Sequence, residues 1–361
     1  MNYILHTIIK LQARVYFFIL LFACSKFEIS AFGSSLIGDQ NETNDKVSDS
    51  VRSLDIFRTE IRNSDYENAL IKLLSVSESK GGVRFNPEFY PIIGIKIKTQ
   101  MSPGLQVSKK FLDAVLDILE FRGYGLKQVF ITDRDRNSLV QSGIYSFENG
   151  NAQYRGYNVY SSVDEDYFSK EWFHDSPMPP TLHDRTRFFI DFPFDRYKRV
   201  KEERKSYLPS LLFLKNTFWI NLAVASDSVN LGIDGASSNI TTGAISNYQR
   251  FLDRKTIAPA AVTEILAIPE FWEKRTYSII DLSRYQFSNG GQFDAEFISG
   301  KPILLLSENP FSVDRIALSF LNDERKKKGF SLRLEEDVLM FKYASEIGLG
   351  DVKKAKVFNI K

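Results

Sequence analysis

Lys96 and Lys98 stand two residues apart, and Asp133 follows after a helix-length gap. Further on come Asp227, Asp281 and Asp314, each at the end of a β-rich stretch or in the opening turn of a helical one. Such residues suit two kinds of chemistry. Ammonium groups and exposed backbone N–H groups hold small anions. Converging carboxylates hold a divalent cation or move protons as acid and base, with a lysine to polarise a substrate oxygen. Both require distant positions to meet. Each residue also has a plainer use: the aspartates as caps or turn residues, above all Asp314, and the lysines as groups reaching water past a sheet edge.

The elements that must position them begin at residues 92–98. Ile93, Ile95 and Ile97 alternate with Gly94, Lys96 and Lys98, the period of a strand. The turn 101–104 contains Pro103-Gly104. Ser108 is placed to cap a helix whose apolar stripe is Phe111, Leu112, Val115, Ile118 and Leu119, with Gly123 as its stop. Residues 129–132 form a second strand ending at Asp133 and Asp135. This is a βαβ unit with parallel strands, and in such sheets ligands sit beyond the carboxyl ends of the strands.

Residues 218–225 read as a buried parallel strand, with Asp227 just past it. The Gly- and hydroxyl-rich stretch around Gly235, Ser237, Ser238 and Asn239 could cradle an anion through its backbone N–H groups. Residues 277–283 and 302–306 are further strands, the first carrying Asp281, and Asp314 opens the helix 312–328. Helices are also expected over 259–268 and 335–347. Upstream, residues 51–85 read as an N-terminal helical segment, from the spacing of Phe57, Ile61, Ala69, Leu70, Leu73 and Leu74.

An irregular insertion spans about 145–210. Its tyrosines over 149–162 are strand-like. Residues 172–184, with three prolines in four positions, read as a rigid loop carrying His174-Asp175 and His183-Asp184. Histidine beside carboxylate is metal-ligand chemistry, although the spacing fits no established motif and a polar loop has other uses for both. Residues 187–194 read as a strand. The basic run 197–205 reads as a solvated face that could also meet anionic lipid headgroups.

The chain has 361 residues, 43% hydrophobic, with 30 Phe and 16 Tyr, enough for one large or two modest aromatic-rich cores. Lys10 and Arg14 precede an apolar run over 15–23 that is too short to span a bilayer comfortably and fits a secretory signal peptide. Without those two, the 47 basic residues fall to 45 and equal the 45 acidic ones, a balance that argues against nucleic acid as a partner. Leu21-Phe22-Ala23-Cys24 is similar to a bacterial lipobox, whose cysteine becomes lipidated and tethers the chain to a membrane; cleavage near Ala31 and an uncleaved anchor are the alternatives. Cys24 is the sole cysteine, so neither an intramolecular disulfide nor a cysteine-held zinc or iron–sulfur site can form. Residues 25–50, rich in Ser, Gly, Asn and Asp, read as a flexible tether. The expected location is the bacterial periplasm or cell envelope.

Several blocks, in order, resemble the domain-of-unknown-function 362 family. They are Ile95-Lys96-Ile97-Lys98, Pro103-Gly104, Phe130-Ile131-Thr132-Asp133, Ile220-Asn221-Leu222, Gly235-Ala236-Ser237-Ser238-Asn239, Ile280-Asp281 and the stretch from Ser307-Glu308-Asn309-Pro310 to Asp314. The resemblance covers about residues 90–325 and implies fold more than chemistry, since the family has no general assigned activity. Where it usually shows Lys-Thr-His, this chain has Ala225-Ser226-Asp227-Ser228, and the family's ferredoxin-type cysteines are missing. The chain is similar to an exported, cysteine-poor subgroup.

The expected fold is a mostly parallel, doubly wound, Rossmann-like α/β sheet over 86–361 with helices on both faces. Three functions are compatible with it. A binding protein would hold a small anionic ligand through Lys96, Lys98, Asp133, Gly235, Asn239 and Asp281. An enzyme would use Asp133, Asp227, Asp281 and Asp314, with or without a divalent metal, for which His174 and His183 are further candidate ligands. A structural envelope protein would need neither site.

Overall fold

The computed structural model describes residues 52–361 except 149–150, 163–166, 177 and 252–253, and excludes the side chains of Phe147, Glu148, Asn151 and His183. The expected signal peptide and tether, together with Cys24, lie outside the described residues. In chain order the strands are β1 Ile56–Glu60, β2 Ile92–Lys96, β3 Val129–Asp133, β4 Ser146–Glu148, β5 Asn151–Tyr154, β6 Tyr157–Ser161 and β7 Phe168–Asp175. They continue as β8 Lys205–Pro209, β9 Thr217–Ser228, β10 Gly232–Asp234, β11 Thr276–Gln286, β12 Ile298–Ser299, β13 Ile303–Ser307 and β14 Val357–Ile360. The α-helices are α1 Tyr66–Ser79, α2 Lys109–Phe121, α3 Arg136–Ser142, α4 Leu182–Asp191 and α5 Arg196–Glu203. After them come α6 Ala236–Ile240, α7 Ile257–Leu266, α8 Pro269–Trp272, α9 Pro310–Lys327 and α10 Leu339–Glu346.

Twelve of the described strands make one mixed sheet in the order β14-β1-β13-β11-β9-β2-β3-β6-β5-β4, with β10 beside β9 and β12 beside β11. The central run β11-β9-β2-β3-β6 is parallel throughout. At its heart β9 is apolar on both faces and buried from Thr217 to Asp227, as a strand covered on both sides must be. Alternation splits the core in two. Phe57, Ile93, Ile95, Ile131 and Leu222 pack with α1 and α2 on one face. Trp219, Ala223, Ile280 and Leu305 pack with α6, α7, α9 and α10 on the other. Gly94 lies under the Trp219 ring, where a Cβ would approach to 2.7 Å.

The βαβ unit forms as its periodicity requires. Ser108 caps α2 by accepting the Phe111 N–H, and Gly123 takes the left-handed conformation after it.

Three expectations are corrected. Residues 51–85 are helical only in part: α1 forms and buries Ala69, Leu70, Leu73 and Leu74 as their spacing requires, but β1 ahead of it lies inside the sheet between β13 and β14. Phe57 and Ile61 match helical spacing, but the neighbours Ile56 and Phe57 bury into opposite cores, which only a strand allows. Residues 187–194 are mostly helix α4, started by Thr181, whose hydroxyl oxygen accepts the Asp184 N–H. The rigid loop is shorter than expected, since His174 and Asp175 belong to β7, paired with β8 in a separate two-stranded sheet. The sheet is mostly but not wholly parallel: β13 runs antiparallel to both neighbours, so its Ser307–Asn309 end reaches the opposite rim from the ends of β2, β3 and β9.

Candidate functional site at the strand ends

Lys96 closes β2 and Asp133 closes the adjacent β3, and their side chains form an ion pair of 2.6 Å. They are 1% and 2% exposed. The Lys96 ammonium also donates to the Ile97 carbonyl and to Asn239 Oδ1, both at 3.0 Å, so its three protons each have an acceptor. Asp133 accepts in addition from the Thr99 N–H, the Thr99 hydroxyl and the Arg134 N–H, at 2.6 to 2.8 Å. Burial pulls the Lys96 ammonium below its ordinary pKa, against the opposing pull of Asp133.

Asn239 extends the network. Its amide donates to Asn221 Oδ1 and to the Leu222 carbonyl, and Asn221 donates to the Ala236 carbonyl and the Ser278 hydroxyl. Sequence reasoning did not assign Asn221 or Thr99 to the site. The signal was present for Asn221: an amide in the middle of a buried apolar strand must find partners.

Lys98 lies one strand-period further. Its ammonium donates to the Val224 and Asp234 carbonyls and pairs with Asp234 Oδ1 at 2.9 Å. Ser238 donates to the same carboxylate oxygen. Asp234 is also a residue that sequence reasoning did not single out.

In the stretch expected to cradle an anion, the backbone N–H groups are taken by a carboxylate of the chain itself. Asp314 accepts the Ala236 N–H at 2.6 Å and the Ser237 N–H at 2.9 Å, with the Ser237 hydroxyl beside them. It therefore caps α6, not its own helix α9. Gly235 is required by this approach, because a Cβ there would lie 2.2 Å from Asp314 Oδ1. Burial pushes the Asp314 carboxyl up to about 6, against Ser237, Ala236 and Lys98, which all favour the ionised form.

The remaining carboxylates stand apart. Asp281 accepts from the Tyr66 hydroxyl at 2.9 Å and from the Ser283 N–H at 2.8 Å. Tyr66 belongs to α1, on the face of the sheet opposite to Asn239, so Asp281 does not share a hollow with Lys96. Burial raises the Asp281 carboxyl. Asp227 lies 3.0 Å from both Arg325 and Arg333 and ties β9 to α9 and the segment after it. Asp133, Asp227, Asp281 and Asp314 are thus committed to four separate sets of partners. Among the described residues no group of three His, Cys, Asp or Glu side chains could hold a metal ion. His174 meets Glu264 on α7 at 2.6 Å, with its Nδ1 buried and unpartnered; the His183 side chain lies outside the described residues.

No family model matches the chain, and no curated protein matches it. Among solved structures, it is similar to a crystal structure of a Thermotoga maritima protein solved as a structural-genomics target, at 12% identity and a TM-score of 0.37. The match covers 72% of this chain and 59% of that one, so it spans less than two thirds of the other protein.

Proposed function

We propose that this protein is an exported binding protein that takes a small carboxylate- or phosphate-bearing ligand over the ends of β2, β3 and β9. One observation carries the reading. Two lysines and the opening of α6 gather between β2 and β9, and they already hold three carboxylates of the chain itself: Asp133, Asp234 and Asp314. Asp234 is the member that reaches water, at 20% side-chain exposure. A ligand anion would take its place on Lys98 and Ser238, while the Lys96–Asp133–Asn239 network forms the rigid floor. Strand order supports the reading: β6-β3-β2-β9-β11 reverses direction of growth between β2 and β9, as a Rossmann-like sheet does at its ligand crevice. Membership of the domain-of-unknown-function 362 family and an envelope location belong to the same proposal, supported by the quoted sequence blocks and the N-terminal pattern.

The test is calorimetric titration of the full chain with inorganic phosphate and with succinate. Binding should appear in the parent, disappear in Lys98→Ala and strengthen in Asp234→Asn, which removes the competing internal carboxylate. A folded Asp234→Asn protein that takes up neither ion would overturn the proposal.

A further inference from the structure

We infer that the α4–α5 hairpin is a docking surface for an anionic lipid bilayer. Among the described residues, six exposed large apolar side chains fall within 182–200: Leu182, Phe189, Ile190, Phe194, Tyr197 and Val200. Apart from a smaller and less exposed group, Phe330, Leu332 and Leu334 at 39% to 44%, the others are scattered along the sequence, the ordinary pattern for a protein surface. Leu182 and Phe189 are two turns apart on α4 and share a stripe, with Ile190 beside it. On α5, Tyr197 and Val200 share a stripe with Lys201. Phe194 sits in the turn between the helices and is 98% exposed.

Basic groups outnumber acidic ones on the hairpin, and the exposed Asp191 of α4 has Arg187 at 3.7 Å. The acidic residues of α5 and its cap are engaged locally: Asp195 accepts the Lys198 N–H, Glu202 holds Lys205 and Tyr207, and Glu203 lies 3.9 Å from Arg199. Arg185, Arg196, Lys198 and Lys201 are exposed. Outward-facing aromatic and aliphatic groups flanked by basic ones are what an interfacial helix presents to headgroups, with the apolar groups entering the acyl boundary and the cations meeting lipid phosphates. No helix among the described residues is long and apolar enough to cross a membrane, so the contact proposed is with the surface.

The experiment is co-sedimentation of the full chain with phosphatidylglycerol–phosphatidylcholine vesicles and with phosphatidylcholine vesicles. Parent and variants carry the same N-terminus, so its contribution cancels in the comparison. Two triple variants are measured, Phe189→Ser/Phe194→Ser/Tyr197→Ser and Arg196→Gln/Lys198→Gln/Lys201→Gln. Each basic residue near the surface should contribute about fivefold, so the charge variant should lose at least about tenfold in affinity for the anionic vesicles. The apolar variant should lose a comparable factor. As a second readout, a Phe194→Trp protein, compared with the parent, should shift its emission to the blue on adding anionic vesicles and hardly at all with neutral ones. Parent-like binding by both folded variants, equal binding to neutral vesicles, or a Phe194→Trp emission spectrum unchanged by lipid would each overturn the inference. So would a Phe194-dependent dimer on gel filtration, which would assign the surface to a second copy of the chain.

Discussion

At the ends of β2 and β3 the chain hides charge; on α4 and α5 it displays apolar surface. Lys96 and Asp133 give up water entirely and replace it with ion-pair and hydrogen-bond partners from neighbouring strands, loops and a helix. Phe194 and Ile190 keep water contact and bury little within the chain. A side chain is held in costly surroundings only when its neighbours compensate it, so the first region must be assembled as a unit. The second has few neighbours to satisfy and is open to changes that leave the fold intact. The difference predicts where substitution harms stability and where it alters only contacts with other molecules.

The largest effect should come from breaking the buried pair. Lys96→Met leaves the buried Asp133 without its cation, at a cost of about 3–5 kcal/mol in urea denaturation. Adding Asp133→Leu should recover part of that loss, so the two single costs should sum to more than the cost of the double variant. Additive costs would show that the pair is not the unit described here.

Asp314→Asn comes next, at about 1–3 kcal/mol for weakening a carboxylate that three donors address. Its pH dependence sharpens the point. The folded carboxyl titrates near 6 and the unfolded one near 3.8, so between those values the folded state binds the extra proton. This group's contribution therefore grows as pH falls from 7 towards 5, and is lost as pH rises through 6. The stability gap between parent and Asp314→Asn should widen on acidification; a gap that narrows would contradict the assigned burial.

The smallest effect is expected at Phe194→Ser, within about 0.5 kcal/mol of the parent. A loss of several kcal/mol there, read from the same denaturation curves, would mean that the turn packs within the protein and is not free to meet a bilayer.

Much of the fold was legible because its signals are short-ranged. The alternation of residues 92–98, the Ser108 cap and the stripe from Phe111 to Leu119 led to β2, α2 and β3. Strand β1 was misread because Phe57 and Ile61 satisfy helical spacing by coincidence, and β14 is four residues with no fully buried side chain. Helix α4 was misread because Phe188, Phe189 and Ile190 favour strands, whereas the Thr181 cap four residues ahead of Arg185 favours a helix and prevails. At the site, the identities of Lys96, Lys98, Asp133, Gly235 and Asn239 were legible, and their convergence was not guaranteed by any local pattern.

By itself the sequence determined which segments could become strands or helices and which side chains carried charge, because period and capping depend on residues a few positions apart. Only the tertiary structure decided the partners. Lys96 and Asn239 are 143 positions apart and meet through the neighbouring of β2 and β9, while Asp281, two strands from Lys96, points to the other face. Strand order and side-chain parity set those outcomes, and both come from how the whole sheet buries its two cores.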